Sequence, residues 1–444
     1  MIAQEILDDQ PFGLSEFHNQ TTLHPLALGA VIILCVLTFV LPRKYALIPC
    51  LVLVCFIPSA QRIVIFGLDF TLLRIMAGVG LLRVILRGDF HAGRWRTPDS
   101  VMLGWGVTSL VAYSLRRGSL SDLIYMFGVV TESLALYFMV RGILRSWGDL
   151  RVFMASLTVI CAIVALGFLN EKATGRNVFS VFGGVPAMTE MREGRLRCSG
   201  AFAHPILAGC FWAVQCAYMA PLWWSRLGTG RLSAVVGVTA GVVIIVTCAS
   251  STPVLSLIAG AGAGAWFVFR RYTQPLKHLI IGGLIALHLI MEAPVWHLMS
   301  RVDLAGGSTG YHRYLLVDAT ISNFSEWALI GTKGTSHWGT GLFDLTNQFV
   351  LEGVKGGALR LSLFVIMISM CFSRVGTMWR SAGQDREKLA MSWGLGVGLF
   401  IHCISFMGVS YHGQVAFGWY FSIAAIVSMS ESFTSTCGPA PALN

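Results

Sequence analysis

Two stretches of this 444-residue chain carry side chains suited to holding a negatively charged group. The first reads Arg195-Leu-Arg197-Cys-Ser-Gly200-Ala-Phe202-Ala-His204-Pro205 and leads straight into an apolar run, whose first turn suits Pro205. A guanidinium is a planar fork that binds phosphate oxygens in pairs, so Arg195 and Arg197 are candidate partners of a phosphate. The same arginines would also serve as a solvated loop reaching to lipid headgroups. His204 alone reads more readily as a structural histidine than as a catalytic one. The second stretch, 299–355, contains Tyr311-His312-Arg313-Tyr314, a glycine-rich turn Gly331-Thr-Lys-Gly334-Thr-Ser-His337-Trp338-Gly339, and Asp344-Leu-Thr346-Asn347. His312 and His337 have side chains able to move a proton near neutral pH. The spacing around His312 and Arg313 predicts a helix lying along a membrane surface, with both residues near the headgroups.

The elements that position these residues are set by composition. The chain is 55% hydrophobic and 12% charged, with mean hydropathy +0.69. Soluble domains carry about 25% charged residues. Apolar runs near 26–41, 45–58, 68–86, 99–114, 121–142, 152–169, 205–223, 232–249, 252–269, 278–298, 356–373, 388–407 and 413–430 predict helical spans. Crossing a bilayer takes about 20 residues, and several runs are shorter, so the expectation is about 11 to 13 spans. Backbone groups in lipid must be satisfied within the segment, and alternating strands are absent, which favours helices over a barrel. The fold class is therefore all-α: a polytopic integral membrane protein, one membrane domain over 1–444. Its two long polar loops are 170–204 and, largest, 299–355.

The net charge of +10 follows from topology rather than from nucleic-acid binding. Basic residues gather at every second loop: Arg43–Lys44, Arg83 to Arg96, Arg141 to Arg151, Arg226 to Arg231, Arg270 to Lys277 and Arg374 to Lys388. Such loops face the cytoplasm. That register places both long loops on the extracytoplasmic face. Arg62 and the pair Arg116–Arg117 stand outside the pattern.

Most of the 11 cysteines sit in apolar spans as small hydrophobes, and no CxxC or HxxxH pattern points to a metal. Gly260, Gly262, Gly264 and the pair Gly282–Gly283 predict close helix packing. Neither an internal repeat nor paired broken helices favour a secondary transporter. Ionisable residues within or near the spans, such as Arg74, Glu132, His288, Glu292 and His402, are few and scattered. Glu132 is the one that invites a functional reading, since a carboxylate inside a span is rare.

The order of the polar motifs resembles a known family. An Arg197-x-x-Gly200-x-Phe202-x-His204-Pro205 segment opens a span, and Arg313 stands about fourteen positions before Trp327-Ala-Leu. A Gly331-x-x-Gly334 turn, Asn347 and Glu352-Gly-x-x-Gly356 follow. This is similar to the O-antigen ligase and polymerase family of bacterial envelope glycan enzymes, which includes exopolysaccharide polymerases. The likeness covers roughly 60–430 in architecture, with its motifs confined to 195–210 and 310–357.

The resemblance implies a glycosyltransferase at the outer face of the bacterial inner membrane. It would move a glycan from an undecaprenyl pyrophosphate carrier to a glycan or lipid acceptor, with no metal or other cofactor and with other polysaccharide assembly proteins as further partners. Arg197, with Arg195 beside it, and Arg313 would hold the pyrophosphate. Family members carry a histidine directly before Asn347, where this chain has Thr346, and a threonine hydroxyl is no base near neutral pH. His337 or His312 would then supply the base beside Asn347, or catalysis would rest on positioning and the arginines. A lipid-linked glycan binder or export scaffold would keep the arginines and tolerate the missing base; a transporter ranks last.

Overall fold

A computed structural model describes residues 21–65, 68–89, 95–301 and 309–434. It is 75% helical with almost no strand. The helices are α1 (Pro25–Val40), α2 (Ile48–Phe56), α3 (Leu72–Leu86), α4 (Thr97–Arg117), α5 (Leu120–Ile143) and α6 (Trp147–Thr174). Next come α7 (Pro205–Met219), α8 (Gly230–Thr247), α9 (Ser251–Ala265) and α10 (Thr273–Ile290). The short helices α11 (Thr309–Ser322) and α12 (Phe324–Trp327) precede α13 (Gln348–Ser381), α14 (Arg386–Phe406) and α15 (Gln414–Thr434). Seven helical segments among the described residues are long and apolar enough to cross a membrane: 120–143, 147–174, 205–224, 230–247, 251–290, 348–381 and 386–406. This is an all-α architecture of the multi-pass membrane type.

Each predicted span meets a helix, with instructive differences. α2 is only nine residues long, too short to cross a bilayer. The run 68–86 begins as strand: β1 (Arg62–Ile65) and β2 (Leu68–Thr71) pair antiparallel, Arg62 opposite Thr71. A second hairpin joins β3 (Glu190–Arg192) to β4 (Arg195–Arg197). The polar loop 299–355 ends early, because α13 starts at Gln348; likewise α6 runs to Thr174, inside the predicted loop 170–204.

Local signals explain where the helices stop. Ser146 and Asp149 form a reciprocal capping box at the start of α6, and Gly175 closes it in the left-handed region (φ 69°). Asn347 caps α13 by accepting from the Phe349 and Val350 N–H groups. α7 lies at the centre, with every residue except Ile206 buried. Of the glycines expected at helix contacts, Gly260 is pressed against Ile401, so a side chain there would overlap it. Gly262, Gly264, Gly282 and Gly283 face open space. α10, which carries the last two, buries none of its side chains.

Ion pairs and hydrogen bonds gather the loops at two ends. One end is held by arginine–carboxylate pairs. Arg141 binds both oxygens of Asp99 (3.0 and 3.0 Å) and Glu431 (2.7 Å), with Tyr137 donating to Asp99 at 2.7 Å. Arg151 and Arg226 converge on Glu387. Part of the basic charge read from the sequence at this end is thus paired with carboxylates, Arg43 with Asp149 among them. Glu132 is likewise accounted for: it accepts from Arg74 (3.2 Å) and Thr71 (3.2 Å). The opposite end gathers the polar segments 57–71, 175–204, 248–250, 309–347 and 407–413.

Candidate functional site

Arg197 reaches its position through a tight hairpin. Glu193 (φ 52°) and Gly194 (φ 73°) both take positive φ, the geometry that suits a two-residue turn to twisted strands. Register sets Arg197 opposite Glu190, and the guanidinium donates to that carboxylate at 3.0 Å. Arg197 is buried while Glu190 is half exposed, so the pair opens on one side to solvent. Arg195 is exposed.

The end of the hairpin is clamped from below. Glu171, in the last turn of α6, accepts the N–H groups of Ser199 and Gly200 at 3.0 Å each and the Thr189 hydroxyl at 3.2 Å. Asn177 donates to the Gly200 carbonyl at 2.7 Å. Gly200 has φ 57° and its α-carbon lies against the Phe168 ring, which leaves no room for a side chain. Gly200→Ala will therefore cost about 1–3 kcal/mol, seen as a lower unfolding temperature of the detergent-solubilised protein. An unchanged unfolding temperature would show that the loop is not clamped in this way.

The two arginines meet at the turn between α8 and α9. The Cys198 N–H, next to Arg197, donates to the Thr247 carbonyl at 3.1 Å. Arg313, on α11, donates to the Thr252 hydroxyl at 2.8 Å. Thr247 and Thr252 flank a bend in which Ala249 takes φ 46°. Motifs more than a hundred residues apart thus dock on either side of one short turn. A surface-lying α11 was expected to show Arg313 to the headgroups; instead Arg313 is half-buried, because Thr252 and Gly408 take up its guanidinium.

His204 completes this corner. Its Nδ1 accepts from the Ile206 N–H at 3.2 Å and caps α7. That bond leaves the imidazole proton on Nε2, so His204 is a donor on its free side. Burial and then the Arg197 guanidinium hold its pKa below the ordinary histidine range; Glu190 and Asp344 act the other way, and His412 adds to the lowering. The unfolded chain binds a proton near pH 6.5 that folded His204 refuses, so stability falls as pH drops through about 6.5. His204→Asn keeps a capping oxygen and will flatten that slope in thermal unfolding between pH 8 and 5; a slope as steep as wild type would refute the assignment.

The other predicted residues occupy different positions. His337 is exposed and pairs with Glu326 at 2.9 Å, as does the Trp338 indole at 2.8 Å. Burial would raise the Glu326 pKa, but hydrogen bonds from Thr332, Trp338 and His337 outweigh it and hold the carboxyl below its usual range. His337 is thus engaged with Glu326 and joins neither arginine. His312 meets the main-chain carbonyl of Asp344 at 3.3 Å. Asn347 is 4% exposed and its side-chain oxygen is spent on the cap. The Thr346 hydroxyl is buried with no partner.

His412 went unnoticed in the sequence, and Asp344 was named there without a role. Asp344 is exposed, and it and His412 lie within electrostatic range of His204. His412 belongs to the short connection 407–413 between α14 and α15, where the Tyr411 N–H donates to Gln348 at 2.7 Å and the Tyr411 hydroxyl meets His402 at 3.0 Å. The signal available was two titratable rings in a polar gap between long apolar runs. Among the described residues, no three His, Cys, Asp or Glu side chains converge as a metal site. Neither a protein-family model nor a curated protein matches the chain.

Proposed function

We propose that the protein is a membrane glycosyltransferase of the O-antigen ligase and polymerase type. It would transfer or polymerise glycan units from an undecaprenyl pyrophosphate carrier at the outer face of the bacterial inner membrane. The observation that carries this reading is the docking of Arg197 and Arg313 on the two sides of the α8–α9 turn, with His204 beside Arg197. In this reading Arg197, Arg313 and the Nε2–H of His204 receive the pyrophosphate. An acceptor hydroxyl attacks the anomeric carbon, the bond from that carbon to the phosphate oxygen breaks, and the electron pair leaves with the pyrophosphate. Charge on that leaving group grows in the transition state, so fixed cations there lower the barrier directly.

The proton of the acceptor goes to Asp344 or His412, two of the proton-accepting groups in range of His204; the third, Glu190, is paired with Arg197. Because Glu326 engages His337, His337→Ala will leave product formation at the wild-type level, whereas Asp344→Asn or His412→Ala will lower it by about 10²-fold or more. The assay is the purified chain with a lipid-linked glycan and an acceptor, reading released undecaprenyl pyrophosphate. No release under any acceptor would sink the transferase reading. A second reading, a non-catalytic binder of the same lipid-linked glycan, is favoured by Thr346 standing where a base is expected. It predicts donor binding without release.

A further inference from the structure

The end of the bundle that holds the arginine–carboxylate pairs has one sector where cations lack carboxylates. Arg43, Arg83, Arg141, Arg145 and Arg151 each reach an Asp or Glu within 3.3 Å. Among the described residues, Arg231, Arg270, Arg271 and Arg380 form no ion pair. The carboxylates between α13 and α14, Asp385 and Glu387, are taken by Arg226, Lys388 and Arg151. Arg231, Arg271 and Arg380 are exposed, and Arg270 is half-buried.

What these arginines touch is aromatic. Arg270 lies over the Phe267 ring at 4.7 Å, and Arg380 over Trp379 and Arg231 over Trp223, both at 5.6 Å. The rings form a row, with centroids 6.2 Å apart from Trp224 to Phe267, 5.7 Å from Phe267 to Trp393 and 6.3 Å from Trp393 to Trp379. Trp393 is fixed in the row by its indole N–H, which donates to the Ala263 carbonyl at 3.0 Å. Trp223, Trp224, Val268, Phe269 and Tyr272 are exposed beside it. The row runs along the ends of membrane-length segments 205–224, 251–290, 348–381 and 386–406, which sets it at the membrane surface. There the rings suit the acyl boundary and the guanidiniums the level of the lipid phosphates. Stacking covers one flat face of a guanidinium and leaves N–H edges for an anion. A purely topological role needs positive charge in these loops, but not charge seated along a row of rings.

We propose that Arg231, Arg270, Arg271 and Arg380, set along this row of rings, bind the headgroups of anionic phospholipids at the membrane surface. The proposal does not depend on the transferase reading. The test is native mass spectrometry of the full chain in detergent with phosphatidylglycerol and phosphatidylcholine of the same acyl chains. Phosphatidylglycerol is expected to be retained in preference by about tenfold or more. In an Arg270→Gln, Arg380→Gln double variant that preference should fall by about tenfold. Arg231→Gln alone should lower it by a smaller factor, so the result does not hang on the folding of one variant. A Lys44→Gln, Arg87→Gln double variant removes the same charge from exposed positions at this end, away from the row, and should leave the preference unchanged. Equal retention of the two lipids would overturn the proposal. So would an equal loss in the Lys44–Arg87 variant, which would show that net charge alone attracts the lipid, or displacement of phosphatidylglycerol by inorganic phosphate at the same concentration.

Discussion

Arg197→Ala and Arg313→Ala are each expected to lower glycan transfer by about 10²–10³-fold, the scale seen when one fixed donor to a developing anion is removed. Arg197 is buried, and its ion pair with half-exposed Glu190 positions it where a stronger anion can displace or share that carboxylate. Arg313 donates to the Thr252 hydroxyl at 2.8 Å, which aims its guanidinium at the α8–α9 turn. Lysine at either place keeps the charge but loses the paired geometry, and should recover only part of the activity. Arg195→Ala, at an exposed position, should have little effect. Normal product with either Arg197 or Arg313 removed would exclude pyrophosphate binding at this corner.

The largest effect on stability is expected at the opposite end. Asp99 and Arg141 are both fully buried and paired through two parallel hydrogen bonds. Asp99→Ala leaves Arg141 with Glu431 and Ser428 but without its inner partner, and strands the Tyr137 hydroxyl. Breaking a buried pair from one side costs about 3–5 kcal/mol. Unfolding by heat or denaturant in detergent reads this directly. A loss below about 1 kcal/mol, the value of an exposed pair, would show that the network is solvated. The pair joins the start of α4 to the end of α5 and, through Glu431, to α15, so the loss should spread across three helices.

The helical plan was legible because lipid leaves the backbone no partner but itself, and long apolar runs then have one solution. Errors arose where polar residues find partners inside the protein. Gln348, Glu352 and Lys355 read as loop, yet they lie in α13, where Glu352 is enclosed by Trp105, Gln348 and Arg360. Hydropathy cannot register such a partner when it lies on a helix over two hundred residues away. The two hairpins were missed because strands of three and four residues carry no period. At the site, the arginines could be picked out by type and order. The pairing of His337 with Glu326 and the nearness of His204 to Asp344 and His412 depend on how loops fold back, which spacing does not encode.

The break in α13 has a consequence for motion. At Gly357 the backbone leaves the helical region (φ 76°), and the segment before it bonds instead to the preceding loop: Thr332 donates to Val354 at 3.0 Å and Ala358 to Ala328 at 2.8 Å. Gly357 lies so close to the Leu329 carbonyl that a side chain would part them. Stretch 328–332, though it lacks regular structure, is therefore bolted to the helix, and its amide hydrogens should exchange with deuterium at the pace of α13 rather than of a loop. Any tilt of the upper part of α13 would carry this stretch with it, as one lever arm.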